Sequence, residues 1–156
     1  MKKKLGLLLT ASALSLGLVA CGAPDTATTT EQQPKNEISK TVETPALDIQ
    51  VTSVKSGYPE SNDKDKQMLI IKMKIKNISK DEDGAGAADF VVKADDGKTY
   101  DVYGLEAKNF GTAIKAGQTI EGQGYYEIPK DTKKVTLYYE PAGKKQAEWQ
   151  LTVPAK

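Results

Sequence analysis

The chain contains no histidine, no arginine and a single cysteine among its 156 residues. Without histidine it lacks the commonest general base and the usual metal ligand, and without arginine it lacks the planar fork that grips phosphate or carboxylate. One thiol cannot close a disulfide within the chain. Aromatic residues are also scarce, at 6%. These absences weigh against most enzymes, and no catalytic residue, cofactor or metal site is expected. Charge is not one-sided either. The 22 cations, all lysine, face 21 carboxylates for a formal balance of +1, so the chain is not built to coat nucleic acid. At roughly 100–200 residues per domain the length allows one folded domain.

What is present starts with Lys2, Lys3 and Lys4, a short positive stretch followed by an apolar run from Leu5 to Ala20. That run is shorter than the roughly 20 apolar residues a spanning helix needs, and it ends in small residues as a secretory signal does. The ending reads Leu18-Val19-Ala20-Cys21 and then Gly22. It resembles the lipobox of bacterial lipoproteins, in which the thiol receives a diacylglyceryl group and the chain is cut just before it. The resemblance implies a signal peptide over 1–20 and palmitate-like acyl chains on Cys21. It also implies a lipid bilayer as partner and a place on the extracellular side of the cell membrane, as in Gram-positive bacteria. Removal of 1–20 takes away three lysines and no acid, leaving 19 lysines against 21 acids, a balance of −2. Two acyl chains hold a protein on a bilayer stably where one is marginal, so the folded part needs no membrane-binding surface of its own.

Residues 21–45 are expected to be the lipidated N-terminus and a disordered linker. The stretch is rich in threonine and glutamine, has prolines at 24, 34 and 45, and offers only Ile38 and Val42 as branched aliphatics. It has too little apolar surface to offset the entropy of ordering it.

From Ala46 onward apolar residues alternate with polar ones between turn signals, the period of half-buried strands. Leu47, Ile49 and Val51 make one such set, and Leu69, Ile71, Met73 and Ile75 another. Phe90-Val91-Val92 and residues 99–103 flank Asp95-Asp96-Gly97, whose Asp-Gly pair signals a type I′ hairpin. Ile120, Gly122, Gly124, Tyr126 and Ile128 share a face that Pro129 ends, and Val135, Leu137 and Tyr139 form the next. Trp149, Leu151 and Val153 close the chain. About seven strands over residues 46–156, with no helical period beyond one short turn around Leu105–Phe110, predict an all-β, immunoglobulin-like antiparallel β-sandwich. Trp149 lies in the last strand and no cysteine pair exists, so the antibody-type bridge is excluded.

Three stretches carry a family resemblance. Lys74-Ile75-Lys76-Asn77-Ile78-Ser79-Lys80, Lys115 to Gly122, and Tyr126-Glu127-Ile128-Pro129-Lys130-Asp131 resemble the strand-and-turn signatures of domain-of-unknown-function family 4352. That family is telokin-like and related in fold to a secreted mycobacterial immunoprotective antigen. The resemblance covers about Leu47 to Val153 and implies an extracellular immunoglobulin-like sandwich with no established catalytic residue. Where the family pattern places proline before Gly117, this chain has Ala116. In physical terms Asn77 is expected to tolerate a left-handed backbone at a strand end, and Gly117 to serve a tight turn.

Several groups invite a chemical reading. Ser61-Asn62-Asp63-Lys64 has the Ser-x-x-Lys spacing of penicillin-recognising acyl enzymes but sits in a polar loop, so a solvated loop is preferred. Asp81-Glu82-Asp83-Gly84 and Asp95-Asp96-Gly97 gather carboxylates beside turns, without the alternate-position acids and closing glutamate of a calcium loop. Lys72, Lys74 and Lys76 project from one face and suit either an anionic wall polymer or a soluble surface guarded against edge pairing. In the pairs Tyr125-Tyr126 and Tyr138-Tyr139 one ring must face outward; the alternation assigns Tyr125 and Tyr138 to that side, where exposed tyrosine anchors protein contacts. The expected function is a non-catalytic binding module at the cell surface, with an unknown protein or cell-wall partner. The alternative is a ligand- or ion-binding accessory lipoprotein using the acidic loops near Asp81–Asp83 and Asp95–Asp96.

Overall fold

The alternation read from the sequence becomes ten antiparallel strands in a computed structural model that describes residues 35–104 and 108–156. They are β1 (Thr41–Glu43), β2 (Leu47–Gly57), β3 (Lys66–Asn77), β4 (Asp83–Gly86), β5 (Phe90–Ala94), β6 (Thr99–Tyr100), β7 (Gly111–Ile114), β8 (Thr119–Pro129), β9 (Lys134–Tyr139) and β10 (Ala147–Thr152). Sheet 1 has the order β1-β2-β3-β8 and sheet 2 the order β10-β9-β5-β6, while β4 and β7 form a separate ribbon. The leader 1–20, Cys21 and the expected linker over 22–34 lie outside the described residues, as do positions 105–107 of the expected turn at Leu105–Phe110. No helical turn forms at 108–110; the helical turns described are two 3₁₀ turns, Ala87–Asp89 and Pro141–Gly143.

The inward sets match the alternation. Leu47, Ile49 and Val51 of β2 and Leu69, Ile71, Met73 and Ile75 of β3 are buried from sheet 1. Phe90, Val92, Leu137, Tyr139, Trp149 and Leu151 meet them from sheet 2 in one core. Each such side chain, fully buried, contributes about 1.5–3 kcal/mol. In β8 the inward positions Gly122 and Gly124 lack side chains, and aromatic rings occupy the space. A Cβ on Gly122 would stand 2.3 Å from Phe110 Cγ, and one on Gly124 would stand 2.7 Å from Tyr126 Oη. Gly122→Ala therefore forces Phe110 off its seat and should cost about 1–3 kcal/mol in a urea titration. A change under about 0.5 kcal/mol would show that the ring moves freely.

Three strands were not legible in advance. β4 and β7 read Asp-Gly-Ala-Gly and Gly-Thr-Ala-Ile, with too few branched residues to signal a strand. Their glycines instead allow close approach, since a Cβ on Gly86 would lie only 3.4 Å from Gly111 Cα. The third is β1. The expected start of the domain at Ala46 is too late, because residues 36–44 form a strap sewn to both sheets. Glu37 N–H donates to Gln150 O at 2.9 Å and Ser39 N–H to Val51 O at 2.8 Å. The Trp149 indole N–H donates to Lys40 O at 3.0 Å, and β1 pairs with β2. Few apolar residues are needed to order a segment whose backbone hydrogen bonds are satisfied this way.

Glu37 is the hinge pin of the strap. Its buried carboxylate accepts hydrogen bonds from Lys35 and Lys40 at 2.8 Å and from the Gln150 N–H at 2.9 Å. Burial pushes the carboxyl up, but the two ammonium groups and the backbone donor outweigh it and hold its pKa at about 2, against an ordinary 4.5. A depressed folded-state pKa adds stability above the unfolded value that is lost as the group protonates. Stability should therefore fall between about pH 4.5 and 2, and Glu37→Gln should flatten that acid limb. An unchanged acid limb in the variant would contradict this.

Other local readings need adjusting. Of the non-glycine residues with positive φ, Asn77 is not one. Instead its side chain is fully buried, donates to Asp81 O and Ile114 O at 2.8 and 2.7 Å, and accepts from Ser79 N–H and Oγ. Its value lies in tying the turn after β3 to β7. Gly117 does take φ +75°. The hairpin at 95–97 forms, but only Gly97 has positive φ. The connection is thus a longer loop with a left-handed glycine, not a type I′ turn, which needs two such residues. The strand expected over 99–103 stops at Tyr100, because the chain crosses to sheet 1, where Tyr103 N–H donates to Tyr125 O at 2.7 Å.

Candidate functional site

Lys72, Lys74 and Lys76 do stand exposed on one face of β3. Yet β3 is an inner strand of sheet 1, so they guard no edge. Their charge is also partly spent: Lys72 pairs with Glu121 at 2.6 Å, Lys74 lies opposite Glu121 on β8, and Lys76 opposite Asp48 on β2. Lys72 holds the Glu121 carboxyl below its ordinary value through a hydrogen bond and direct attraction.

The alternation places the tyrosines correctly, with Tyr126 and Tyr139 buried and Tyr125 and Tyr138 half-exposed. Tyr125 sits on β8 of sheet 1, however, and Tyr138 on β9 of sheet 2. Their rings point outward from opposite sides of the sandwich and make no common surface. Tyr125 is engaged locally, through its hydroxyl with Gln123 and its N–H with Asn109.

Tyr138 has different company. A groove of about 710 Å³ runs over the outer face of sheet 2, and Lys35, Lys93, Lys134, Thr136, Tyr138 and Gln150 line it. The register explains the grouping. Gln150 on β10, Thr136 on β9 and Lys93 on β5 form one cross-strand row. Lys134 lies diagonally from Lys93, at a spacing of about 7–8 Å between Cα atoms. Neither Lys93 nor Lys134 has an ion-pair partner among the described residues. Asp95, the one acid lining the groove, is turned toward the backbone N–H groups of Lys133 and Lys134 at 2.9 and 3.3 Å. Lys145 lies 4.9 Å from the centre of the Tyr138 ring and pairs with Glu148 at 2.8 Å. The face thus offers two lysines outside any ion pair among the described residues beside an amphipathic ring, with one carboxylate, Asp95, in the same groove. No sequence signal marks it, since Lys35, Lys93 and Lys134 are far apart in the chain and only strand pairing unites them.

In the acidic loops Asp83 and Asp96 use their carboxylates to hold turns. Asp83 accepts from Gly84 N–H at 2.7 Å. Asp96 accepts from Lys98 N–H and the Tyr100 hydroxyl at 2.9 and 2.8 Å, which lowers its own pKa; burial foremost, and then the Asp96 carboxylate, raise that of Tyr100 to about 12. Among the described residues no group of three or more acids is placed to hold a metal ion. Ser61 directs its hydroxyl to the Glu127 carboxylate and accepts from Asp63 N–H; Lys64 is not its partner.

The chain matches the family described as a domain of unknown function, DUF4352, over residues 36–148. This chain belongs to the DUF4352 family. The match begins where the strap begins, ten residues before the expected boundary at Ala46. No curated protein matches the chain. Among solved structures, the ycdA protein of Bacillus subtilis, described as a lipoprotein by inference, is 19% identical with a TM-score of 0.62; the match covers 76% of this chain but only 39% of ycdA. The yjhA protein of the same species is 17% identical with a TM-score of 0.56 over 77% of this chain and 100% of its own. The secreted protein MPT63 of Mycobacterium tuberculosis is 15% identical with a TM-score of 0.57, covering 76% and 98%. At these identities the likeness is one of fold. Among the described residues no helix is long and apolar enough to cross a membrane.

Proposed function

We propose that this DUF4352 chain is a lipoprotein, acylated at Cys21 on the outer side of the cell membrane, and that its sandwich is a non-catalytic interaction module. Leu18-Val19-Ala20-Cys21 supports the anchor, and the lipoprotein description of ycdA, a neighbour in fold, agrees with it. The observation that carries the interaction reading is the sheet 2 groove, with Lys93 and Lys134 unpaired beside Tyr138. Nothing comparable favours the acidic loops, where Asp83, Asp95 and Asp96 each accept from backbone donors and no group of three or more acids among the described residues is placed to hold a metal ion.

Growth of expressing cells with labelled palmitate tests the anchor. The wild-type protein should carry label in the membrane fraction, and Cys21→Ala should carry none. An unlabelled wild type would contradict the proposal, as would a variant labelled to the same extent.

A further inference from the structure

We propose that the sheet 2 groove is the face that this domain lays against an anionic phospholipid bilayer, the membrane its own lipid enters. The inference rests on the reading of Cys21 as the anchor. Three observations lead to it.

The first is charge. Among the described residues Lys93 and Lys134 have no ion-pair partner, and Asp95, the one acid lining the groove, is turned toward backbone N–H groups; nearby, Glu148 pairs with Lys145, and Glu37 with Lys35 and Lys40. The opposite outer face has the more obvious lysine row, but Glu121 and Asp48 stand among those lysines. The chain as a whole does not attract anions, so attraction must come from one side of it.

The second is the ring. Tyr138 lies half-exposed within the groove, and an aromatic body with a polar tip suits the headgroup level of a bilayer.

The third is where the chain leaves. Lys35, the first described residue, lies on the rim of the groove. The strap that follows is hydrogen-bonded to β10 and β2, so that exit point is fixed to the sandwich. Thirteen residues, 22–34, separate Lys35 from Cys21, a reach of at most about 50 Å. A lipid at Cys21 therefore keeps the groove within that reach of the bilayer. Lysine at an anionic surface gains only about fivefold in partition per residue. Two or three of them bind feebly alone, but a short tether makes the contact intramolecular and raises its effective concentration. A soluble anionic polymer would have no reason to seat at the exit of the tether.

The single cysteine makes the test direct. A chain of residues 21–156 keeps every described element and can be coupled through Cys21 to a maleimide lipid in vesicles. Reaction of each lysine with an amine reagent is then read by peptide mass spectrometry, in phosphatidylglycerol and in phosphatidylcholine vesicles at low salt. Lys93 and Lys134 should react at least about fivefold more slowly on phosphatidylglycerol, with Lys72, Lys74 and Lys76 unchanged. High salt should abolish the difference. Lys35 on the groove rim should also react more slowly on phosphatidylglycerol in the wild type, and equally on both lipids in Lys93→Gln/Lys134→Gln. Equal reactivity on both lipids would overturn the inference, as would protection of the Lys72 row. Protection on phosphatidylcholine by added poly(glycerol phosphate), with none on phosphatidylglycerol alone, would assign the groove to a polymer and also overturn it. Because the anchor is installed chemically, failure here leaves acylation in cells to the palmitate experiment.

Discussion

Trp149→Ala should lower the unfolding free energy by about 3–5 kcal/mol. The indole is fully buried in β10 and lies opposite Leu137 in the register. Its removal leaves a large cavity between the sheets, and the surrounding strands, fixed by ladder hydrogen bonds, can close only part of it. The indole N–H is also the donor that holds Lys40 O of the strap at 3.0 Å. Trp149→Phe separates the two effects. It keeps most of the apolar volume but leaves that carbonyl without its donor, at a cost of about 1–3 kcal/mol. Urea unfolding followed by far-UV circular dichroism measures both, since the variants lose the only tryptophan. A loss below about 1 kcal/mol in the alanine variant would mean that Trp149 does not join strap and sheets as described.

A chain begun at Ala46, the boundary that composition suggests, should be less stable than one begun at Gly22 by about 3 kcal/mol or more. It loses the whole of β1, the burial of Ile38 and Val42 against the core, and the Glu37 carboxylate that satisfies Gln150 N–H. It also loses Thr44, whose hydroxyl accepts from Leu47 N–H and donates to Leu47 O. The Trp149 indole N–H loses its acceptor, Lys40 O. Equal midpoints for the two chains would show that the strap is ornamental.

The strap also shows where sequence reading runs out. β2, β3, β9 and β10 were legible because one face of each is buried, and a period of two in apolar residues follows directly from the pleat. Residues 36–44 are ordered by hydrogen bonds to residues such as Gln150 and Val51, and a backbone donor leaves no mark on composition. Asn77 was noticed for a turn conformation it does not adopt, because its real partners, Asp81 O and Ile114 O, are set by the pairing of β4 with β7. The lysine row on β3 was visible since its members are two apart in sequence. The groove was not, since Lys93 and Lys134 are neighbours only through the β5–β9 register. Local pattern thus reveals strands, while the charge of a face depends on which strands lie side by side.

In the proposed function Cys21 becomes the first, lipid-bearing residue of the mature protein. Mass spectrometry of its N-terminal peptide, taken from protein extracted from membranes of cells expressing the full chain, tests this most directly. The expected peptide starts at Cys21 and carries a diacylglyceryl group on sulfur. A peptide starting elsewhere, or one starting at Cys21 with a free thiol, would contradict it.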